Sequence, residues 1–252
     1  MNSSKNALVE KFLSTGYQIF DIKKKKELDN LRLYVYEIST RILNLENQKT
    51  PNIDQFFKNF HHYVKNENLN EFKIKLINEY CKNKKINNFI YELSKNYVEI
   101  LVGKEICMQR IINLIISMPK DVNGGMAIHN DTWGGNSPYE IILWIPLITC
   151  TKTMSLFLVP QDKTRQALSK IKASTKVSEI EDLVKNDKIY PTIKYGQALL
   201  LSSTNLHGSS TNLEAETRWS FNVRFKNMYT PFGTKGFLET FLPVELVLNE
   251  EI

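Results

Sequence analysis

The sequence is poor in the features that mark secreted, membrane and thiolate-metal proteins. Its three cysteines, Cys81, Cys107 and Cys150, are far apart and form no C-x-x-C pair, which argues against a disulfide framework or a thiolate metal site. No apolar run reaches the roughly 18 residues that a membrane-spanning helix needs. Residues 1–17 lack the continuous apolar segment of a secretion signal. We therefore expect a cytoplasmic protein with reduced thiols and no membrane contact.

The sequence also lacks repeats, low-complexity tracts and linkers rich in proline, glycine and serine. A single domain over residues 1–252 is therefore the simplest organisation. Apolar residues make up 42% of the chain, which is enough for a packed core. The net charge is +6, and the lysines are spread along the chain as a solvated surface. The excess of positive charge favours anionic partners, such as phosphorylated or carboxylated small molecules or nucleic acid.

Residues 1–104 have the apolar spacing of helices. From Leu28 onwards, apolar residues recur at intervals of three and four and form one stripe, as on a helix with one buried face. The predicted helices cover residues 28–45, 56–64 (after Pro51) and 89–101, and a short strand is expected at 17–22. These elements predict a helical layer that covers a core on one side.

From about residue 105 the pattern becomes that of strands, with short apolar or alternating segments bounded by turn residues. The predicted strands cover 111–116, 139–147, 155–159, 193–202, 219–225 and 237–247. An insertion at 161–188 is predicted to be helical, and Ser178 with Glu181 forms a capping box for its helix at 179–184. Short strands beneath helices predict an α+β fold with a mainly β core, a sandwich or a barrel.

Two of the four histidines are placed as metal ligands. His61 and His62 lie in a polar helical stretch and are predicted to be surface residues. His129-Asn130-Asp131 follows a strand and an Asn-Gly-Gly turn, and His207 follows an apolar strand. Residues two apart in extended backbone point the same way, so His129 and Asp131 can converge on one point. Two histidines and one carboxylate on one face of an iron ion leave three positions open.

The His-x-acid pair is a weak signal by itself, because about 0.4 such pairs are expected by chance in this composition. The stretch that follows His207 by eleven residues is more specific. Arg218, Ser220, Asn222 and Arg224 alternate with apolar residues and share one face of a strand. An ordinary half-buried strand with its polar face in water gives the same pattern. If the polar face instead lines a barrel, a buried guanidinium requires an anion.

Together, His129-x-Asp131, His207 and Arg218-x-Ser220 resemble the iron(II)/2-oxoglutarate-dependent dioxygenases. The spacing of eleven residues between His207 and Arg218 is similar to that of the phytanoyl-CoA dioxygenase-like branch. The resemblance covers the C-terminal part of the chain and implies a double-stranded β-helix. It also implies that His129, Asp131 and His207 hold Fe(2+), and that Arg218 and Ser220 hold the distal carboxylate of 2-oxoglutarate.

The resemblance extends to three further positions and to the reaction. Asn113, Trp144 and Ser209 match positions that contact the co-substrate in that branch. The implied reaction uses dioxygen and hydroxylates a small molecule. The net positive charge of the chain favours an anionic metabolite as the substrate, such as a nucleotide-linked sugar, a carbohydrate or a natural-product intermediate. No side chain beyond the iron ligands is expected to act as an acid or base.

Two other functions fit parts of the pattern. Arg218 and Arg224 have the six-residue spacing of DNA-repair dioxygenases, and the net charge suits phosphate. However, the gap from His207 to Arg218 is shorter than in those enzymes, and no aromatic and basic lid is evident, so nucleic acid is not the expected partner. A non-catalytic, cupin-like binding protein could hold zinc with the same three ligands. Arg218 and Ser220 distinguish an oxygenase from such a zinc-binding protein, because a zinc site needs no residues that bind the carboxylate of a co-substrate.

Overall fold

The computed structural model describes residues 2–46, 52–82 and 85–249, and Pro51 lies outside these ranges. Helices in the described ranges are α1 (Asn2–Thr15), α2 (Lys25–Ile42), α3 (Ile53–Lys58), α4 (Asn66–Cys81), α5 (Lys85–Val102), α6 (Gln161–Leu168), α7 (Val177–Val184) and α8 (Val244–Asn249). The strands are β1 (Tyr17–Asp21), β2 (Ile106–Gln109), β3 (Asn113–Ser117), β4 (Met126–His129), β5 (Ile141–Pro146), β6 (Phe157–Leu158), β7 (Gln197–Ser202), β8 (His207–Ser209), β9 (Arg218–Asn227) and β10 (Phe241–Pro243).

The strands form two antiparallel sheets of unequal size. The large sheet has the order β1-β7-β5-β9-β2-β10, and β3 also pairs with β9. The small sheet has the order β4-β8-β6. Strand β9 is the longest and pairs with β2, β3 and β5, so it fixes the register of most of the large sheet. The predicted combination of helices with antiparallel strands is confirmed.

The helical layer and the large sheet share one apolar core. The predicted stripe of α2 is buried at Leu28, Leu31, Val35 and Ile38, and the helix ends at Ile42, before the end of the predicted segment. The apolar face of β9 points to the helices, where the fully buried Trp219 meets four phenylalanines. These are Phe56, Phe57, Phe60 and Phe72, with ring centroids 6.5, 5.1, 4.6 and 6.1 Å from that of Trp219.

A second, smaller apolar cluster lies on the small sheet. Ile128 of β4 and Phe157 of β6 pack there with Ile180 and Val184 of α7. The helical insertion predicted at 161–188 is confirmed as α6 and α7. It covers the small sheet, while the N-terminal helices cover the large one.

The capping box predicted from Ser178 and Glu181 is wrong. Helix α7 begins at Val177, and the carboxylate of Glu179 accepts a hydrogen bond of 2.6 Å from the backbone N–H of Lys176. Because Glu179 accepts the hydrogen bond from the N–H of Lys176, the first turn of α7 is capped there, and the helix begins two residues before the predicted start at 179. The side chain of Glu181 instead forms an ion pair with Lys188.

The strand predicted at 237–247 is also wrong over most of its length. Only β10 is extended there, and α8 follows it directly. Pro243 has no N–H that could donate a hydrogen bond to a neighbouring strand. Its fixed φ suits the position directly before a helix. Helix α8 then packs its apolar side on β2 and α5. Helices α1 and α4 and strand β2 were not predicted individually.

The three cysteines form no disulfide within the described ranges: Cys107 and Cys150 are buried, and Cys81 is partly buried. Within the described ranges, every helix falls short of the length or the apolar content that crossing a bilayer requires.

We expect Trp219→Ala to lower the free energy of unfolding by about 3–5 kcal/mol, because it removes a fully buried indole from the contact between helices and sheet. Urea denaturation followed by circular dichroism measures this. Trp133→Ala, at an indole that is 47% exposed, is the matched control and should change stability by less than about 1 kcal/mol. Equal losses in the two variants would contradict this role of Trp219.

Candidate functional site

The three predicted metal ligands lie together at one end of the small sheet. His129 ends β4, His207 begins β8, and the two residues are opposite each other in the ladder. Asp131 begins a 3₁₀ turn directly after β4. Its Oδ1 atom lies 3.6 Å from Nε2 of His129 and 3.7 Å from Nε2 of His207. One ligand atom from each residue lies within 4.8 Å of the others, so the set can hold a metal ion.

Backbone hydrogen bonds orient both imidazoles. Nδ1 of His129 lies 2.8 Å from the carbonyl oxygen of Ala127, and Nδ1 of His207 lies 2.9 Å from that of Asn205. A carbonyl only accepts, so each Nδ1 carries the proton and donates it. The lone pair of each Nε2 is therefore free and faces Asp131. Neutral imidazoles held in this way are the usual form of histidine ligands.

Arg224 orients the carboxylate of Asp131. Its Nε and Nη2 atoms lie 2.7 and 2.6 Å from Oδ2, while Nη1 donates to Oε1 of Gln109 at 3.2 Å. The backbone N–H of Asp131 also donates to Ser203 at 2.9 Å. Oδ2 is thus occupied, and Oδ1 is the oxygen left to face the histidines. Arg224 therefore forms a buried ion pair with Asp131.

The electrostatics keep Asp131 and His207 in the ionisation states that metal binding needs. For His129, burial lowers the pKa, but the contact with Asp131 outweighs it and raises the pKa above its ordinary value. Burial raises the pKa of Asp131, but the contact with His129 and the charge of Arg224 outweigh it and hold this pKa at about 2. Burial and the neighbouring His129 lower the pKa of His207 to about 4. Near neutral pH, Asp131 is a carboxylate and His207 a neutral imidazole.

A cavity of about 550 Å³ opens from these residues into the space between the two sheets. The large sheet contributes Trp144 from β5 and Arg218 with Asn222 from β9. Trp144 and Asn222 are direct partners in the ladder. The polar face of β9 therefore points into an enclosed space rather than into bulk water, as the barrel interpretation predicted.

Arg218 is buried in the wall of this cavity without a counter-ion. Its Nη1 atom donates to the carbonyl oxygen of Met154 at 3.0 Å, and its Nε has no partner. Among the described residues it forms no ion pair. The hydroxyl of Ser220 and the amide oxygen of Asn222 are also buried without partners. Burial lowers the pKa of the guanidinium, which measures what its charge costs in this place.

The three further predicted residues also lie on the cavity wall, with different surroundings. Trp144 is buried, and Asn113 lies at the start of β3 opposite Asn222. The Ser209 hydroxyl accepts a hydrogen bond of 3.0 Å from the backbone N–H of Met126. That bond ties β8 to β4 and gives Ser209 a structural role beside its place on the wall.

Several residues of the site were not predicted. Helix α4 lines the cavity through Leu69 and Lys73, although nothing in its sequence separates it from the other N-terminal helices. Glu140, just before β5, is buried near Arg224. Gln109 binds Arg224 from the neighbouring strand. The alternating pattern of β9 was the signal that identified Arg224, but its partner lies 93 residues away in the chain. His61, predicted to be on the surface, is partly buried against Thr217.

Comparison with known proteins identifies the class of fold. No model of a known protein family matches the chain, and no curated protein matches it. Among solved structures it is similar to the non-heme monooxygenase ThoJ (TM-score 0.56, 13% identity, 87% of this chain and 77% of that one). AviO1 from Streptomyces viridochromogenes Tue57 gives 0.56 at 13% identity, covering 91% and 97%. EctD from S. alaskensis, with 2-oxoglutarate and 5-hydroxyectoine, gives 0.53 at 13% identity, covering 92% and 78%.

These likenesses show that the chain has the fold of the non-haem oxygenases, with helices on antiparallel sheets. This confirms the predicted α+β fold, in which helices cover a mainly β core.

We expect Arg224→Met to destabilise the metal-free protein by about 3–5 kcal/mol, because it leaves the buried carboxylate of Asp131 without a cation. Iron(II), added without oxygen, should stabilise this variant more than the native protein, since the ion replaces the missing positive charge. Urea denaturation with and without iron(II) measures both effects. Arg110→Met, at an exposed arginine directly after β2, is the control. If iron(II) stabilised the variant and the native protein equally, Arg224 would not be the cation that compensates the charge of Asp131 at the metal site.

Glu140 should make stability fall as the pH rises. Oε1 of Glu140 accepts from the N–H of Ser137 at 2.6 Å, Oε2 has no partner, and burial raises the pKa to about 7. Between the unfolded pKa near 4.5 and this value, the folded state binds more protons than the unfolded state, so stability is lost with increasing pH. Glu140→Gln removes this titration. Its stability relative to the native protein should rise by up to about 3 kcal/mol between pH 4.5 and 7.5. Parallel pH profiles in urea denaturation would show that Glu140 does not titrate in this range.

Proposed function

We propose that this protein is a non-haem iron(II) oxygenase that uses 2-oxoglutarate and dioxygen, and that its two sheets form a double-stranded β-helix. His129, Asp131 and His207 would hold the iron. With Arg224 on Oδ2, Asp131 would supply Oδ1 alone, and the two Nε2 atoms would complete one face of the ion. Three positions then stay open for co-substrate and oxygen, which is the arrangement of 2-His-1-carboxylate iron sites.

The observation that carries this proposal is the uncompensated charge of Arg218. A buried guanidinium is stable only where an anion or several acceptors meet it, and one carbonyl oxygen does not meet that need. The distal carboxylate of 2-oxoglutarate supplies the anion in planar, bidentate form. The unpartnered hydroxyl of Ser220 adds a second donor. Asn113, Trp144 and Ser209 would line the rest of the co-substrate site.

This charge favours an oxygenase over a zinc-binding protein, for which the same ligands would suffice. When bound, iron(II) with 2-oxoglutarate supplies the oxidising chemistry for hydroxylating an unactivated C–H bond. The protein's own residues bind and orient the reactants, and the enclosed cavity limits the access of water. The substrate would be a small molecule, in keeping with the cavity of about 550 Å³. The EctD neighbour, of the same fold, has a structure with 2-oxoglutarate and 5-hydroxyectoine, which are both small molecules.

We expect Arg218→Ala to weaken 2-oxoglutarate binding by at least about thirtyfold. Truncating one partner of a desolvated charge pair costs on the order of 2–5 kcal/mol, and 1.4 kcal/mol is tenfold. Iron affinity should change little, because Arg218 contacts none of the three ligands. The measurement is a titration of iron-loaded, oxygen-free protein that follows the metal-to-ligand absorption band of the bound 2-oxo acid.

Two variants make this test specific. Arg110→Ala, at an exposed arginine directly after β2, should leave 2-oxoglutarate affinity unchanged. His207→Ala should abolish iron binding and with it the absorption band. Equal 2-oxoglutarate affinity in the native and Arg218→Ala proteins, or iron binding that survives in His207→Ala, would overturn the proposal.

A further inference from the structure

A second cation without a counter-ion lines the same cavity from the opposite layer. Lys73 lies on α4, which covers one side of the cavity, and its side chain is partly buried. Within the described part of the chain Lys73 has no hydrogen bond and no ion pair. Burial lowers the pKa of its ammonium, and no nearby carboxylate raises it. Most lysines that are free of partners project into water instead.

The surroundings of Lys73 are polar but carry little charge. Asn66 and Asn70 lie on the same face of α4, at spacings of seven and three residues, and also line the cavity. Asn113 contributes a further amide from β3. Amide groups add hydrogen-bond donors to an ammonium without cancelling its charge. This part of the wall therefore favours a group that is negative and accepts several hydrogen bonds.

Besides the candidate metal ligand Asp131, one carboxylate lines the cavity, that of Asp121. Its Oδ1 accepts a hydrogen bond of 3.0 Å from the backbone N–H of Asn123 within its own loop. In the described residues it forms no ion pair with Lys73. The ammonium is thus left for a ligand.

From this arrangement we propose that Lys73, with Asn66 and Asn70, binds an anionic group of the substrate, a carboxylate or a phosphate, away from the carbon that reacts. The inference rests on the proposed function and specifies its substrate class. Arg218 and Lys73 would then receive different anions: Arg218 the co-substrate from β9, and Lys73 the substrate from the helical layer. A compact ammonium suits either anion, whereas the planar guanidinium suits a carboxylate.

Phenyl phosphate and benzoate test this with one ring and two anionic groups, and benzyl alcohol is their neutral counterpart. Saturation-transfer NMR titrations would be run on native, Lys73→Gln and Lys75→Gln proteins, each with and without bound zinc and 2-oxoglutarate. We expect at least one anion to bind the native protein at least tenfold more tightly than benzyl alcohol. Lys73→Gln should remove that difference. Lys75 is exposed, pairs with Glu71 on the same helix and does not line the cavity, so Lys75→Gln should bind like the native protein.

The outcomes separate this inference from the proposed function. Anion binding that is unchanged in Lys73→Gln, or no preference for either anion over benzyl alcohol, would overturn the role of Lys73. The 2-oxoglutarate absorption band of the iron-loaded protein should be unchanged in Lys73→Gln, and a loss there would also overturn it, because Lys73 would then serve the co-substrate. If the native protein shows no such band, the proposed function fails, while the titrations without 2-oxoglutarate still test the anion site. The stronger of the two anions identifies the group as a phosphate or a carboxylate.

Discussion

The ion pair between Arg224 and Asp131 is the interaction on which the site depends. Asp131 is almost fully buried, and a lone carboxylate there would be costly to ionise. Arg224 supplies the compensating charge and at the same time fixes which oxygen faces the two histidines. Arg224 belongs to the large sheet, whereas His129 and His207 belong to the small one. The pair therefore joins the two sheets at the point where the candidate metal ligands meet.

Alternate side chains of strand β9 lie on opposite faces, so the residues that pack in the core are separated from those of the candidate site. Its odd-numbered residues, such as Trp219, pack on the helices, while Arg218, Asn222 and Arg224 on the other face line the cavity. Arg218 and Arg224 lie on that inner face, six residues apart. Arg224 has a carboxylate partner and Arg218 has none among the described residues. The unequal compensation of two cations on one strand is the physical reason to assign an external anion to Arg218.

The sequence predicted the features that follow from local spacing. The alternation of β9 and the stripe of α2 follow from short-range patterns of polar and apolar residues, and the clustering of His129, Asp131 and His207 was expected from the resemblance. Element ends were less predictable, because tertiary contacts decide them, as the early start of α7 and the helical α8 show. The long-range partner of Arg224 was not predictable from local patterns. The helix α4 that lines the cavity has the same apolar spacing as helices that only cover the core, so no local signal marks it.

The excess of positive charge in the chain affects ligand binding only where the charged side chains line the cavity. A net charge of +6 spread over a solvated surface would be screened within about 10 Å at moderate salt and would select little. In the cavity, Arg218 and Lys73 face one enclosed space, and Asp121 on its wall forms no ion pair with either among the described residues. Low-dielectric walls strengthen the field of such charges and concentrate anions between them. The proposed selectivity for anionic ligands would thus be a property of these two side chains and their burial, whatever the net charge of the remaining surface.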